Sequence, residues 1–216
     1  MVDDADPEMP PTQLTLLVKN GLGYRNLTEL VSKAYAEGQS LDPERALIYK
    51  SWIAEKSEGV IALSGGRRGE IGQAILSGQA DLEARLTFWM DLFPNSFYLE
   101  LVRTGRPDEE TVIHKSIELA KSLGCPVVAT NEVMFVREDD FDAHEARVCI
   151  NQGRTLDDPT RPRDYSDQQY FKSSDEMIEL FSDIPSAIEN SVEIAKRCNI
   201  EIELGTYYLP RFPIPE

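Results

Sequence analysis

The sequence predicts an α/β fold of strand–helix units around a parallel sheet, either open and doubly wound or a sector of a barrel. Three observations predict it. Short apolar runs recur at residues 14–18, 59–63, 97–101 and 127–129, each of strand length and too short for a helix. Runs such as Val127-Val128-Ala129 are almost unbroken, as expected of strands buried on both faces in a parallel sheet. Each run then breaks at a turn or polar group and leads towards an amphipathic segment, while the last third of the chain reads as helix and loop alone. The result is four βα units followed by a helical tail, with no internal repeat.

The elements follow in order. Residues 1–12 hold four acidic residues and three prolines, which predicts an acidic flexible tail. Leu14–Val18 is the first strand, Asn20-Gly21-Leu22-Gly23 a turn, and a helix opens at Asn26 or Thr28 and ends at Gly38. Asp42-Pro43 caps a helix running to about Lys56. The second strand, Gly59–Leu63, leads into Ser64-Gly65-Gly66-Arg67-Arg68-Gly69-Glu70. Asp81–Phe93 carries Leu82, Leu86, Trp89, Met90 and Phe93 at helical spacing, a core-facing stripe. Phe97–Leu101 is the third strand, Thr104–Asp108 a loop ending in a helix cap, and Glu109–Leu123 a helix closed by Gly124.

Pro126 opens the fourth strand, which stops at Thr130-Asn131-Glu132. Polar groups just past a strand end are where an α/β barrel does its chemistry. Asp139–Ile150 is then a helix, with Phe141, Ala143, His144 and Val148 on its apolar face and Gly153 beyond it. Arg154–Tyr165 reads as an exposed loop. Ser174–Phe181 is a short helix capped by Ser173 or Ser174, and a helix beginning at Ile184-Pro185 carries Ala187, Ile188, Val192, Ile194 and Ala195. The proline-rich end, from Tyr207 on, is an extended exit segment.

Composition narrows the function. The 216 residues are 41% hydrophobic, enough for a real core, and carry a net charge of −16. A chain this acidic repels a phosphate backbone, so direct nucleic-acid binding is not expected; the charge suits solubility, or docking of a basic protein partner. Cys125, Cys149 and Cys198 show neither zinc spacing nor a disulfide framework, as for free thiols in a reducing cytoplasm. No apolar run spans a membrane, and the acidic start is unlike a signal peptide.

Candidate chemistry is sparse. The loop Ser64, Gly65, Arg67, Arg68 could hold an anion on backbone amides, but strand-to-helix geometry requiring positive φ explains its glycines equally well. Glu100 and Glu132, at the ends of neighbouring strands, could do acid–base work or hold one ion. His114 and His144 both fall on amphipathic helices and read as helix or core histidines. Ser64 has no Ser-His-Asp arrangement, and Cys149 sits mid-helix.

The segments Gln13–Asn20, Gly23–Leu27, Leu63–Gly66, Tyr98–Leu101, Val128–Glu132, Asp142–Glu145 and Ile194–Cys198 resemble, in order, the PHP (polymerase and histidinol phosphatase) domain of the bacterial DNA polymerase III alpha subunit. Tyr208–Pro213 is similar to the link into the polymerase palm. The resemblance implies a partial PHP-type (β/α)7-like barrel over 13–205 and an extended linker over 206–216. It implies a fragment lacking the family's first His-x-His strand and two βα units, which would expose a sheet edge and favour dimerisation, swapping or marginal stability.

Metal-binding members of the family hold divalent ions at the strand ends. Here Gln13 stands where they have His, Gly66 where many have Cys, Glu132 where they have Asp, and Met134 where they have His. The resemblance therefore implies a degenerate metal site and no cofactor in this segment, Mg²⁺ serving polymerisation elsewhere in the parent subunit. It implies a non-catalytic scaffold that packs on the rest of the alpha subunit and docks the proofreading exonuclease. The alternative it leaves is a residual metal-dependent phosphoesterase or pyrophosphatase.

Overall fold

The computed structural model describes residues 1–4, 10–38, 46–207 and 209. A single four-stranded sheet organises them, ordered β1 (Thr15–Val18), β2 (Val60–Leu63), β3 (Phe97–Val102), β4 (Val127–Thr130). The helices are α1 (Gly21–Glu37), α2 (Lys50–Glu55), α3 (Glu70–Leu76), α4 (Leu82–Leu92), α5 (Glu109–Leu123), α6 (Phe141–Gln152), α7 (Ser174–Leu180) and α8 (Pro185–Arg197). The predicted α/β class and all four strands are present.

The parallel arrangement holds from β2 to β4, but β1 is antiparallel to β2, with Val18 opposite Val60. The reason is local. Asn20 caps α1 by accepting from the Gly23 amide at 3.1 Å. Asn26 Nδ2 donates to the Glu58 carbonyl at 2.9 Å, which pins α1 beside the turn that enters β2. Gly23 and Gly59 meet so closely that a Cβ on Gly23 would lie 1.9 Å from the Gly59 carbonyl oxygen. The chain thus returns to the end of the sheet that β1 has just left, and β2 must run back along it.

Other departures from the sequence reading have similarly concrete causes. Met1–Asp4 is not a solvated tail: Val2 is buried and pairs with Tyr49, and Asp4 accepts from the Ser51 amide at 2.8 Å. The helix expected up to Lys56 is only α2, because Tyr49 is held extended by that pairing; its expected Asp42-Pro43 cap lies outside the described residues. The exit segment from 206 on likewise lies mostly outside them. The short helix α3 was not anticipated. Asp108 does not cap α5 with its side chain; it adopts φ 67° in the left-handed region.

The pleat divides the sheet's side chains. One face presents Val60, Ala62, Phe97, Leu99, Leu101, Val127 and Ala129 to the large core beneath α3, α4 and α5. There Trp89 stacks on Phe93 and Phe97, and its indole N–H donates to Glu70 at 2.9 Å. The stripe expected on α4 is this contact. The opposite face is a smaller apolar ladder of Ile61, Leu63, Tyr98 and Val128.

α8 crosses the β4 edge and covers that second face. Asn190 Nδ2 donates to the Val127 carbonyl at 2.8 Å, Ile194 is buried in the ladder, and the Asn199 amide donates to Lys19 at the end of β1. The buried positions are therefore Ala187 and Ile194; Val192 and Ala195, expected on the apolar face, are exposed. Arg197 closes the lower end of β3 with bonds to the Tyr98 hydroxyl at 2.7 Å and Ser96 Oγ at 2.8 Å. α7 is tied back by Arg103, which forks onto Asp183 and donates to the Leu180 carbonyl while lying over the ring of fully buried Phe181.

This arrangement makes Phe181 the anchor of the helical tail. Phe181→Ala is expected to cost about 3–5 kcal/mol, read as a lower urea midpoint with an unchanged slope. Ser173, which forms a capping box with Glu176, is expected to contribute about 1 kcal/mol when compared with Ala in the same measurement.

Candidate functional site at the strand ends

The second face of the sheet changes from apolar to polar at its upper end. Along β3 the alternation that buries Tyr98 next places Glu100 on the same side, and along β4 it places Thr130 after Val128. Glu100 is held there by three bonds. Its backbone amide donates to Ser64 Oγ at 2.9 Å, Oε2 accepts from the Gly65 amide at 3.0 Å, and Oε1 accepts from Thr130 Oγ1 at 2.6 Å. Burial raises its pKa above the usual carboxylate range; the two hydrogen bonds oppose that shift, and the negative charge of Glu132 adds to it.

The loop 64–69 takes its shape from packing. Gly65 and Gly66 have φ 79° and 51°, and a Cβ on Gly65 would lie 2.3 Å from the Gln13 carbonyl oxygen. Its amides are largely committed: Ser64 to Tyr98, Gly65 to Glu100, Arg68 to Gly65 and Gly69 to Gly66. The glycines are thus accounted for by close approach and positive φ.

Glu132 follows β4 with φ 45°, an uncommon backbone for a non-glycine residue. Its side chain is held between cations. Oε2 pairs with Arg106 Nη2, and Oε1 lies 3.6 Å from Arg68 Nε. Arg106 is buried and also donates from Nε to Thr104 Oγ1 at 2.9 Å and Glu109 Oε1 at 3.0 Å. Burial by itself would lower the Arg106 pKa; the bonds and charges of Glu132 and Glu109 more than offset it, so the guanidinium is firmly charged. Glu109 in turn accepts from the Thr104 amide at 2.7 Å. A buried ion network thus joins the β3–α5 loop to the end of β4.

A second layer covers this network. Gln169 is fully buried; its Nε2 donates to the Glu132 carbonyl at 3.2 Å and its own carbonyl accepts from the Met134 amide at 2.8 Å. Asn131 Nδ2 donates to the Tyr170 carbonyl at 2.6 Å, and Ser166 Oγ donates to the Thr104 carbonyl. Loop 154–165 is mostly exposed as expected, but Arg161 anchors it through a buried ion pair with Glu145.

The structure therefore brings together Glu100, Glu132, Ser64, Gly65, Gly66 and Arg68, with Arg67 on the same turn, and sets the Gln13 side chain and Met134 apart. Gln13 contributes backbone, donating its amide to the Arg68 carbonyl at 2.9 Å while its side chain is exposed. Met134 lines a separate depression with Phe135 and His144. Among the described residues no three His, Cys, Asp or Glu side chains converge as a metal would require. Glu132 has both oxygens engaged by arginines, so these donors do not fit a divalent ion.

His144 is a core histidine, its ring against Phe135 and Tyr165 and its Nδ1 3.1 Å from Arg147. Burial, then Arg147, lowers its pKa. His114 is exposed on α5. The α6 face is turned from the expected one: His144, Glu145 and Cys149 are buried while Ala143 is exposed. Sequence reasoning missed Arg106, Thr104, Glu109 and Gln169. The available signal was Arg-Pro-Asp-Glu after a strand, which read simply as a loop and helix start.

Two measurements check this geometry. Arg106→Ala strands Glu132 and Glu109 and is expected to cost about 3–5 kcal/mol in chemical denaturation. Glu100 binds its proton more tightly folded than unfolded, so its contribution to stability is greatest below the unfolded carboxylate pKa and is lost as pH rises through the raised folded value. Glu100→Gln is expected to flatten the stability profile across that window, measured by urea midpoints at successive pH.

Comparison with known proteins places the chain. Residues 2–104 match the PHP domain family. The chain is 52% identical over all 216 residues to the DNA polymerase III subunit alpha of Pseudomonas fluorescens, covering 18% of that protein. It is 55% identical over 207 residues, 95% of its length, to that of Pseudomonas aeruginosa, and 53% identical over 203 residues, 94% of its length, to that of Escherichia coli K12. It spans 18% and 17% of those two proteins. Residues 2–104 thus match the PHP domain family, and along its whole length the chain is similar to a segment of bacterial DNA polymerase III alpha subunits.

Proposed function

We propose that this chain is a non-catalytic PHP scaffold within a DNA polymerase III alpha subunit, packing on the polymerase core and docking the proofreading exonuclease. The observation that carries the reading is Glu132. The strand-end carboxylate with the best claim to a metal is neutralised by Arg106 and Arg68, while Gly66 has no side chain to offer and the Gln13 side chain is exposed. Cations built into the fold do the charge balancing that a metal would otherwise do. The resulting ion network stiffens the strand ends, which suits a surface that must present a fixed shape to a partner.

The net charge of −16 supports a protein partner with basic character over a nucleic-acid strand on this region. Polymerisation itself would reside in other parts of the parent subunit, with Mg²⁺ as its cofactor there.

The residual phosphoesterase reading draws on the raised proton affinity of Glu100, which suits a general acid. It lacks a nucleophile and a ligand set. Analytical ultracentrifugation of the chain with the exonuclease subunit is expected to show a 1:1 complex that weakens as salt rises, alongside background hydrolysis of a phosphodiester substrate with Mn²⁺ or Zn²⁺. No complex, together with turnover lost in Glu100→Gln, would replace the scaffold with the enzyme.

A further inference from the structure

Residues 200–204 read Ile-Glu-Ile-Glu-Leu, a strict alternation of apolar and acidic side chains that stops at Gly205. A period of two is the mark of a half-buried strand, and isoleucine is among the residues most at home in one. The segment nevertheless has no regular secondary structure. Ile202 is 55% exposed and Leu204 87%. Among the described residues, the backbones of Ile200, Glu201, Ile202 and Leu204 make no hydrogen bond, and no bridge joins the segment to a strand.

Its starting point is fixed. α8 ends at Arg197, which is held by Tyr98 and Ser96, and the Asn199 amide donates to the Lys19 carbonyl at 3.2 Å. An extended segment alone gains no ladder bonds and buries neither face, so it becomes a strand only beside another. Ile200, Ile202 and Leu204 would then share one face, and Glu201 and Glu203 the other. The cross-strand neighbours that stabilise such a pairing are apolar on the first face and Lys or Arg on the second. The nearby β1 offers no basic side chain between Thr15 and Val18. A second copy of the segment would set glutamate against glutamate. Most of an alpha subunit lies elsewhere, since the chain spans 18% of its Pseudomonas relatives.

We propose that residues 200–204 form an edge β-strand in the whole alpha subunit, paired with an extended segment from outside residues 1–216 that alternates apolar and basic side chains. This rests on the chain being part of such a subunit. It is independent of exonuclease docking and of the strand-end carboxylates.

The test is hydrogen exchange resolved to single amides, on the chain alone and on a full-length alpha subunit that contains it. In the full subunit, alternate amides of the segment are expected to exchange at least about tenfold more slowly than in the chain alone, because an edge strand bonds every second residue to its neighbour. In the chain alone, the amides of Ile200, Glu201, Ile202 and Leu204 are expected to exchange as in a short peptide. Ile202→Asp and Glu201→Lys are each expected to reduce the protection in the full subunit and to leave the melting temperature of the chain alone unchanged, since both side chains are exposed there. Rapid exchange of these amides in the full subunit overturns the proposal. Protection already present in the chain alone also overturns it, assigning the pairing to β1, or to a second copy if it grows with concentration. Protection that appears only when the exonuclease subunit is added overturns it and leaves the scaffold reading standing. Protection unchanged by Glu201→Lys overturns the basic character of the paired segment.

Discussion

The guanidinium of Arg106 is the group on which the upper end of this structure depends. It sits almost out of solvent, in a loop, and is surrounded by the acceptors it needs: Thr104, Glu109 and Glu132. An arginine in such a place without those partners would be untenable, because an uncompensated buried charge costs several kcal/mol. Each partner comes from a different part of the local fold. Thr104 lies just beyond β3, Glu109 opens α5 and Glu132 follows β4. The strand order, the position of α5 and the left-handed turn at Glu132 are therefore mutually required.

The lower end of the sheet is organised by cations as well. Arg197 and Lys19 converge on Ser96, and Arg197 also engages Tyr98. Burial, and then the neighbouring Arg197 charge, lower the Lys19 pKa. Between these ends lies the ladder of Ile61, Leu63, Tyr98 and Val128, closed by α8. A strongly acidic chain has thus placed arginines at the few positions where strands, loops and helices meet. The acidic groups remain mostly outside, available to a partner or to water.

Much of the fold was legible because burial leaves a direct trace in sequence. The four apolar runs are strands, and Leu86, Trp89 and Phe93 lie where their spacing put them. What escaped depended on contacts between distant segments. The antiparallel β1 follows from the meeting of Gly23 with Gly59, and the burial of Val2 follows from its pairing with Tyr49. On α8 the polar Asn190 faces the β4 edge because the Val127 carbonyl there needs a donor, and no hydrophobic count reveals that. At the site, Glu100 and Glu132 were visible as polar residues ending apolar strands. Arg106 was not, since a lone arginine beside glycine and proline looks like any surface loop until its partners are brought to it in space.

The proposed scaffold rests on fixed arginines, in place of bound metal, balancing the strand-end carboxylate Glu132. The most direct measurement is the metal content of the chain by plasma mass spectrometry after incubation with Zn²⁺ and Mn²⁺ and exhaustive dialysis. Less than about a tenth of an equivalent per chain is expected. Roughly one or more tightly held ions per chain, lost in Glu132→Gln, would contradict it and show that the carboxylates have ligands beyond the arginine network.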